Sequence, residues 1–208
     1  MMTRPDIRNY ALGLLRGKWT QPVLAALIVA LVNGISQGGN QTKSVGFITV
    51  GFLVTLLVGC NLQYGFSVGI LRFHRNREET IKEMFSAGFK EDYGRVLGIE
   101  LLKTVFIILW TLLLIVPGII KAYSYAMTEY IAEDNPELGP SECIDRSMAM
   151  MEGHKMDLFL LDLSYIGWIL LGIITLGIGM LWVAPWMEMA HVKFYEEMKN
   201  ETPTYAQA

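Results

Sequence analysis

Apolar residues in this chain gather into long uninterrupted blocks, and the charged residues sit between the blocks and at the chain ends. Residues 105–116 (Val-Phe-Ile-Ile-Leu-Trp-Thr-Leu-Leu-Leu-Ile-Val) carry no charge on any helical face. A helix of a soluble domain would show an apolar stripe with polar positions every few residues. Two of the blocks are interrupted at their centres by turn signals. Residues 101–120 run into Pro117-Gly118 and resume, and residues 158–186 run into Leu176-Gly177-Ile178-Gly179 and resume. A stretch of about 20 apolar residues spans a bilayer, and a breaker at the middle of a longer one implies a hairpin.

The pattern predicts an all-α, polytopic membrane bundle of about six transmembrane helices arranged as three hairpins. The spans fall at residues 20–36, 45–71, 96–116, 118–132, 158–175 and 178–194. The fourth is short and polar, so a re-entrant segment is the alternative there. Each hairpin follows an amphipathic segment. In residues 4–18, Ile7, Tyr10, Ala11, Leu14 and Leu15 share a face. In residues 78–89 it is Ile81, Met84, Phe85 and Phe89, and in residues 141–154 it is Ile144, Met148 and Met151. Such faces suit the headgroup region. Gly17, Gly88 and Gly153 stand where each surface helix would stop and turn into the bilayer. Residues 1–200 thus read as one integral membrane domain, with 4–71, 78–132 and 141–195 as candidate repeats and 201–208 as a flexible tail; three hairpins of common design are the alternative to true duplication.

Charge sets the orientation. With the N-terminus inside, the inner segments hold Arg4, Arg8, Arg16, Lys18, Arg72, Arg75, Arg77, Lys82, Lys90, Arg95, Arg146, Lys155, Lys193 and Lys199, while the outer turns hold Lys43, with Lys121 near an outer end. This asymmetry predicts cytoplasmic N- and C-termini. Basic residues before the apolar residues 23–32 resemble a signal peptide, but no small-x-small cleavage site follows, and a retained first helix is expected.

The 208 residues are 52% hydrophobic with a net charge of -3, and no basic patch suggests nucleic acid. Cys60 and Cys143 lie far apart and His74, His154 and His191 lack ligand spacing, so neither a disulfide, a metal nor another cofactor is expected.

Several blocks carry a resemblance. They are Leu15-Arg16-Gly17-Lys18-Trp19, the run from Leu109 through Pro117-Gly118 to Met127, Asp134-Asn135-Pro136, the run from Ser147 through Gly153-His154-Lys155, the run from Phe159 to Trp168, and Gly177 to Trp186 with Phe194-Tyr195 after it. Together they resemble a family of bacterial integral membrane proteins known only as a domain of unknown function. The likeness implies a bacterial cytoplasmic (inner) membrane protein and supplies no activity. Trp186 departs from the tyrosine expected after the proline.

Polar groups inside a bilayer call for an explanation. Asp162 lies inside the fifth span. Glu188 and His191 are three apart on the sixth and share a face. Glu129 and Glu188 each stand eleven residues after a turn glycine, Gly118 and Gly177, roughly 16 Å along a helix and near the middle of a ~30 Å core. Asn61 and Gln63 fall at similar depth. These six form the candidate intramembrane polar site, with interhelical hydrogen bonding as the simpler reading. Glu100 and Lys103 are expected to pair with each other or with lipid headgroups, and Lys121 to snorkel outward. Arg72, Arg75, Arg77, His154 and Lys155 are candidate contacts for anionic lipid headgroups.

No catalytic or nucleotide motif is present, and an enzyme is not expected. The leading expectation is a protein that binds or moves a lipid, peptide, small molecule or ion within its bundle. The alternative is a membrane scaffold that recruits partners or senses lipid through its amphipathic helices. A homo-oligomer and a membrane-protein partner both stay open.

Overall fold

A computed structural model describes residues 2–38, 55–76, 80–90 and 92–201, and every regular element in them is helical. In chain order the α-helices are α1 (Arg4–Leu15), α2 (Thr20–Gly38), α3 (Cys60–Asn76), α4 (Thr80–Phe85), α5 (Tyr93–Leu113), α6 (Ile115–Ser124), α7 (Thr128–Asp134), α8 (Pro140–Met150), α9 (Lys155–Leu163), α10 (Ile166–Ile174) and α11 (Met180–Glu201). Wider π-turns lead into α3 (Thr55–Gly59) and out of α4 (Ser86–Lys90). The sequence-predicted first outer turn, the start of the second span and Arg77 lie outside the described residues.

The three predicted amphipathic segments form helices, but most of each apolar face points into the protein, with Tyr10 and Phe85 left exposed. Ile7, Ala11 and Leu15 of α1 are at most 1% exposed, as are Met84, Ile144 and Met151. α1 lies along α11, and its face joins the main core. An apolar stripe records only that a face leaves water; lipid and protein interior both satisfy it. Two of the predicted stop glycines behave as read: Gly17 and Gly153 take positive φ of 76° and 84°, which lets the chain reverse after α1 and α8. Gly88 does something else. A Cβ there would sit 2.5 Å from the Asn61 carbonyl oxygen, and one on Gly65 would strike the Met84 carbonyl. These two glycines let α3 lie against α4 and the turn after it.

The hairpin bends differ in detail from the sequence reading. The second falls as expected, between α10 and α11, with Leu176 and Gly177 at positive φ. The first falls at Leu114, whose φ of -159° and ψ of 138° are extended, and not at Pro117-Gly118. Pro117 sits in the first turn of α6, where its missing N–H interrupts nothing. Gly118 is where the two legs touch: a Cβ there would lie 2.7 Å from Thr111 Cα and 2.9 Å from its Cβ.

The fourth predicted span is two helices, α6 and α7, separated by turns at Tyr125–Met127, and the fifth bends by 41° between α9 and α10. Among the described residues one helix, Tyr93–Leu113, is long and apolar enough to cross a membrane by itself. The count rises to three if the pairs Arg4–Leu15 with Thr20–Gly34 and Lys155–Leu163 with Ile166–Ile174 each form one bent span. Both hairpin tips are apolar and exposed, with Leu112 at 83% and Leu176 at 94%.

Candidate functional site

Behind the exposed tips, where the legs pack together, lies a connected set of polar side chains. Lys103 of α5 donates to Glu100, one turn earlier, at 2.8 Å, and also to Glu129 of α7. The Ser67 hydroxyl of α3 lies within hydrogen-bond reach of both Glu129 and Glu188. Tyr130 of α7 donates its hydroxyl to Glu188 of α11 at 2.6 Å. One turn along α11, His191 Nε2 meets Asp162 Oδ1 of α9 at 2.6 Å, and Tyr123 of α6 donates to Asp162 Oδ2 at 3.0 Å. A carboxylate only accepts, so Nε2 carries the proton and Nδ1 is left without a partner among the described residues.

The pairing within this set is uneven. Glu100 and Glu129 share Lys103, and Asp162 has His191. Glu188 is held by hydroxyl donors, with the His191 imidazole one helical turn away on the same helix. An acidic group bonded mainly to neutral donors in an apolar setting retains a strong attraction for a cation.

Glu188 and His191 also line a groove of about 370 Å³. Gln63 of α3 is the third polar residue at its wall; the remainder is Ala26, Val29 and Ala30 of α2, Phe66 of α3, and Gly177, Met180, Leu181, Ala184 and Met187 around the start of α11. The volume is in the range of ordinary small-molecule sites, and the composition, apolar walls with a few convergent polar groups, is theirs too.

Five of the six sequence-predicted site residues therefore converge. Glu129, Glu188, Asp162 and His191 belong to the connected set, and Gln63 faces Glu188 and His191 across the groove. Asn61 stands apart: its side-chain amide donates to the Leu57 carbonyl at 2.9 Å in the π-turn, and its Oδ1 is buried without a hydrogen-bond partner among the described residues. Glu100, Lys103, Ser67, Tyr123 and Tyr130 are members that the six sequence-predicted residues did not include. The local signal for Lys103 existed, since its spacing from Glu100 was legible, but its second partner lies 26 residues away. Lys121, expected to snorkel outward, is half-buried with its ammonium 5.2 Å from the Trp110 ring centre.

The basic residues at the opposite end of the legs are engaged with carboxylates. Arg72 forms a fork on Glu133 at 2.7 and 3.0 Å and bonds Glu83 at 2.8 Å. Arg75 grips Asp134 at 2.5 and 2.9 Å and Glu196 at 2.7 Å. Asp134 also accepts from Tyr195 and from Lys199, each at 2.7 Å. Burial pushes the Asp134 carboxyl up, but the hydrogen bonds from Arg75, Lys199 and Tyr195 outweigh it and hold the group down at about 2. His154 lies 3.8 Å from Asp157, and Lys155 begins α9 half-buried. Among the described residues no three His, Cys, Asp or Glu side chains converge as metal ligands, and Cys60 and Cys143 are free thiols.

Comparison with known proteins adds one finding. The family model described as a protein of unknown function (DUF975) matches residues 1–124 and 111–202. No curated protein and no solved structure matches the chain.

Proposed function

We propose, for a chain that belongs to the DUF975 family and takes no activity from it, a binding protein of the bacterial inner membrane that acts without catalysis. Its three hairpins supply about six membrane-crossing legs with both termini cytoplasmic, and its groove holds an amphipathic small molecule with a cationic head. The observation that carries this reading is the state of Glu188. It lines a groove whose other polar residues are Gln63 and His191, is fixed by Tyr130, and among the described residues is the one acidic group of the connected set with no lysine, arginine or histidine in direct contact. A protonated amine would complete it, with Gln63 as a neutral second contact, and an alkyl chain would follow the walls from Ala26 to Ala30 and from Leu181 to Ala184. His191, tied to Asp162, orients toward the same space.

The alternative of scaffolding through the amphipathic helices has less support. Most of the apolar surface that would recruit partners is occupied by the bundle, with Ile7, Leu15, Met84 and Met151 buried and Tyr10 and Phe85 left exposed.

The test compares a long-chain primary alkylamine with the alcohol of equal length, titrated against the protein in lipid nanodiscs. The amine should bind at least tenfold more tightly, and Glu188→Gln should remove that advantage while leaving the melting temperature within a few degrees. Equal affinities for amine and alcohol would refute the reading. The membrane arrangement has its own test: a cysteine at Leu176 in a chain lacking Cys60 and Cys143 should react with an impermeant thiol reagent applied outside intact cells, and failure to react would refute six full crossings.

A further inference from the structure

A second groove, of about 410 Å³, separates the end of α1 from the third hairpin. Four of the five tryptophans of the chain line it, Trp19, Trp168, Trp182 and Trp186, and none of its lining residues is charged. It shares no lining residue with the groove at Glu188. Its floor is rigid. Trp186 packs edge-on against Trp168 with ring centres 5.4 Å apart, and its indole N–H donates to the Arg8 carbonyl at 3.0 Å. Gly172 and Gly179 form the narrow end, where a Cβ on Gly179 would lie 2.9 Å from Gly172 Cα.

The mouth has a different character. Leu12 and Trp19 bound the groove on the α1 side, and two cations flank them. Arg16 stands one turn beyond Leu12 on the same face, and Lys18 immediately precedes Trp19. Both are exposed, and neither has a carboxylate partner among the described residues. They differ in this from Arg72 and Arg75, whose charge is matched by Glu83, Glu133, Asp134 and Glu196. Gly17, at φ 76°, stands between the two cations at the bend of 101° where α1 gives way to α2, next to Trp19 of the groove wall.

We infer that this groove is a binding site for one anionic phospholipid, with an acyl chain along the four tryptophans and the phosphate between Arg16 and Lys18. Charge complementarity selects the occupant. An apolar slot accepts any acyl chain, but two unmatched cations at its mouth favour a head of net negative charge over a zwitterionic one. Tryptophan suits the position because its ring packs on hydrocarbon close to the polar boundary.

The tryptophans are also the reporter. The full chain is reconstituted in bilayers containing a low, equal mole fraction of either bromine-labelled phosphatidylglycerol or bromine-labelled phosphatidylcholine, and indole fluorescence is read. The phosphatidylglycerol should quench at least twice as strongly. The difference should shrink as salt is raised in the wild-type protein, and should vanish in Arg16→Gln/Lys18→Gln, a surface change that leaves the fold intact. Equal quenching by the two lipids would overturn the inference, as would a preference that persists in the double variant. The alkylamine titration at Glu188 is indifferent to these substitutions, so failure of one site is separable from failure of the other.

Discussion

His191 and Asp162 stand 29 residues apart in the chain and meet at 2.6 Å, joining α11 to α9. The pair fixes which imidazole nitrogen carries hydrogen and holds the ring at the edge of the groove that Glu188 lines. Replacing Asp162 with leucine leaves that N–H without an acceptor and frees the Tyr123 hydroxyl. The expected cost is about 1–3 kcal/mol, the penalty of orphaning a buried donor. Unfolding in mild detergent measures it, with Leu163→Ala, at an exposed neighbouring position, as the silent control.

Lys103 bridges two acidic side chains on different helices with a single positive charge. Lys103→Met should therefore destabilise strongly, by about 3–5 kcal/mol, because Glu100 and Glu129 lose the one cation they share. Adding Glu129→Gln to that variant should recover a good part of the loss. A double variant no better than the single one would show that Lys103 acts through packing alone.

Gly118 permits the contact between α5 and α6. Gly118→Val puts side-chain atoms where the Thr111 backbone already is. Overpacking of this kind costs about 1–3 kcal/mol, and backbone cannot move aside as a flexible side chain does. The melting temperature should fall, and Thr111→Ser, which removes a methyl on the opposite side, should restore little of it.

The cluster at the far end of the legs is sensitive to acid. The Asp134 carboxyl is held at about 2 against 3.8 for the free group. Its contribution is fully present above the unfolded value and is lost as pH falls from about 4 toward 2; the shift corresponds to about 2 kcal/mol. Stability measured across that window should decline less steeply in Asp134→Asn, which should already be weaker at neutral pH by a similar amount.

Helix content and the hairpin signals were legible because apolar blocks, breaker residues and stop glycines are local features. Gly17 and Gly153 needed only their place after an amphipathic run. The bend at Leu114 was displaced from Pro117 because a proline marks a helix start as readily as a turn. Glu129 and Glu188 drew notice through equal spacing from Gly118 and Gly177, and they do share Ser67. That spacing assumed straight helices, whereas α6 and α7 are broken at Tyr125–Met127, so tertiary packing rather than equal depth brings the two together. What was not legible was partnership. Nothing in the run around Lys103 reveals Glu129, and nothing near Arg75 reveals Glu196; both pairings depend on how helices distant in sequence are laid side by side.

The most direct measurement for the account is photo-crosslinking with a long-chain primary amine bearing a diazirine at mid-chain, followed by peptide mapping. Adducts should concentrate on residues 26–30 and 180–187, and excess unlabelled amine should abolish them, as should Glu188→Gln. Adducts spread along the exposed tips at Leu112–Val116 and Ile173–Ile178, unchanged by competitor or by the substitution, would contradict it.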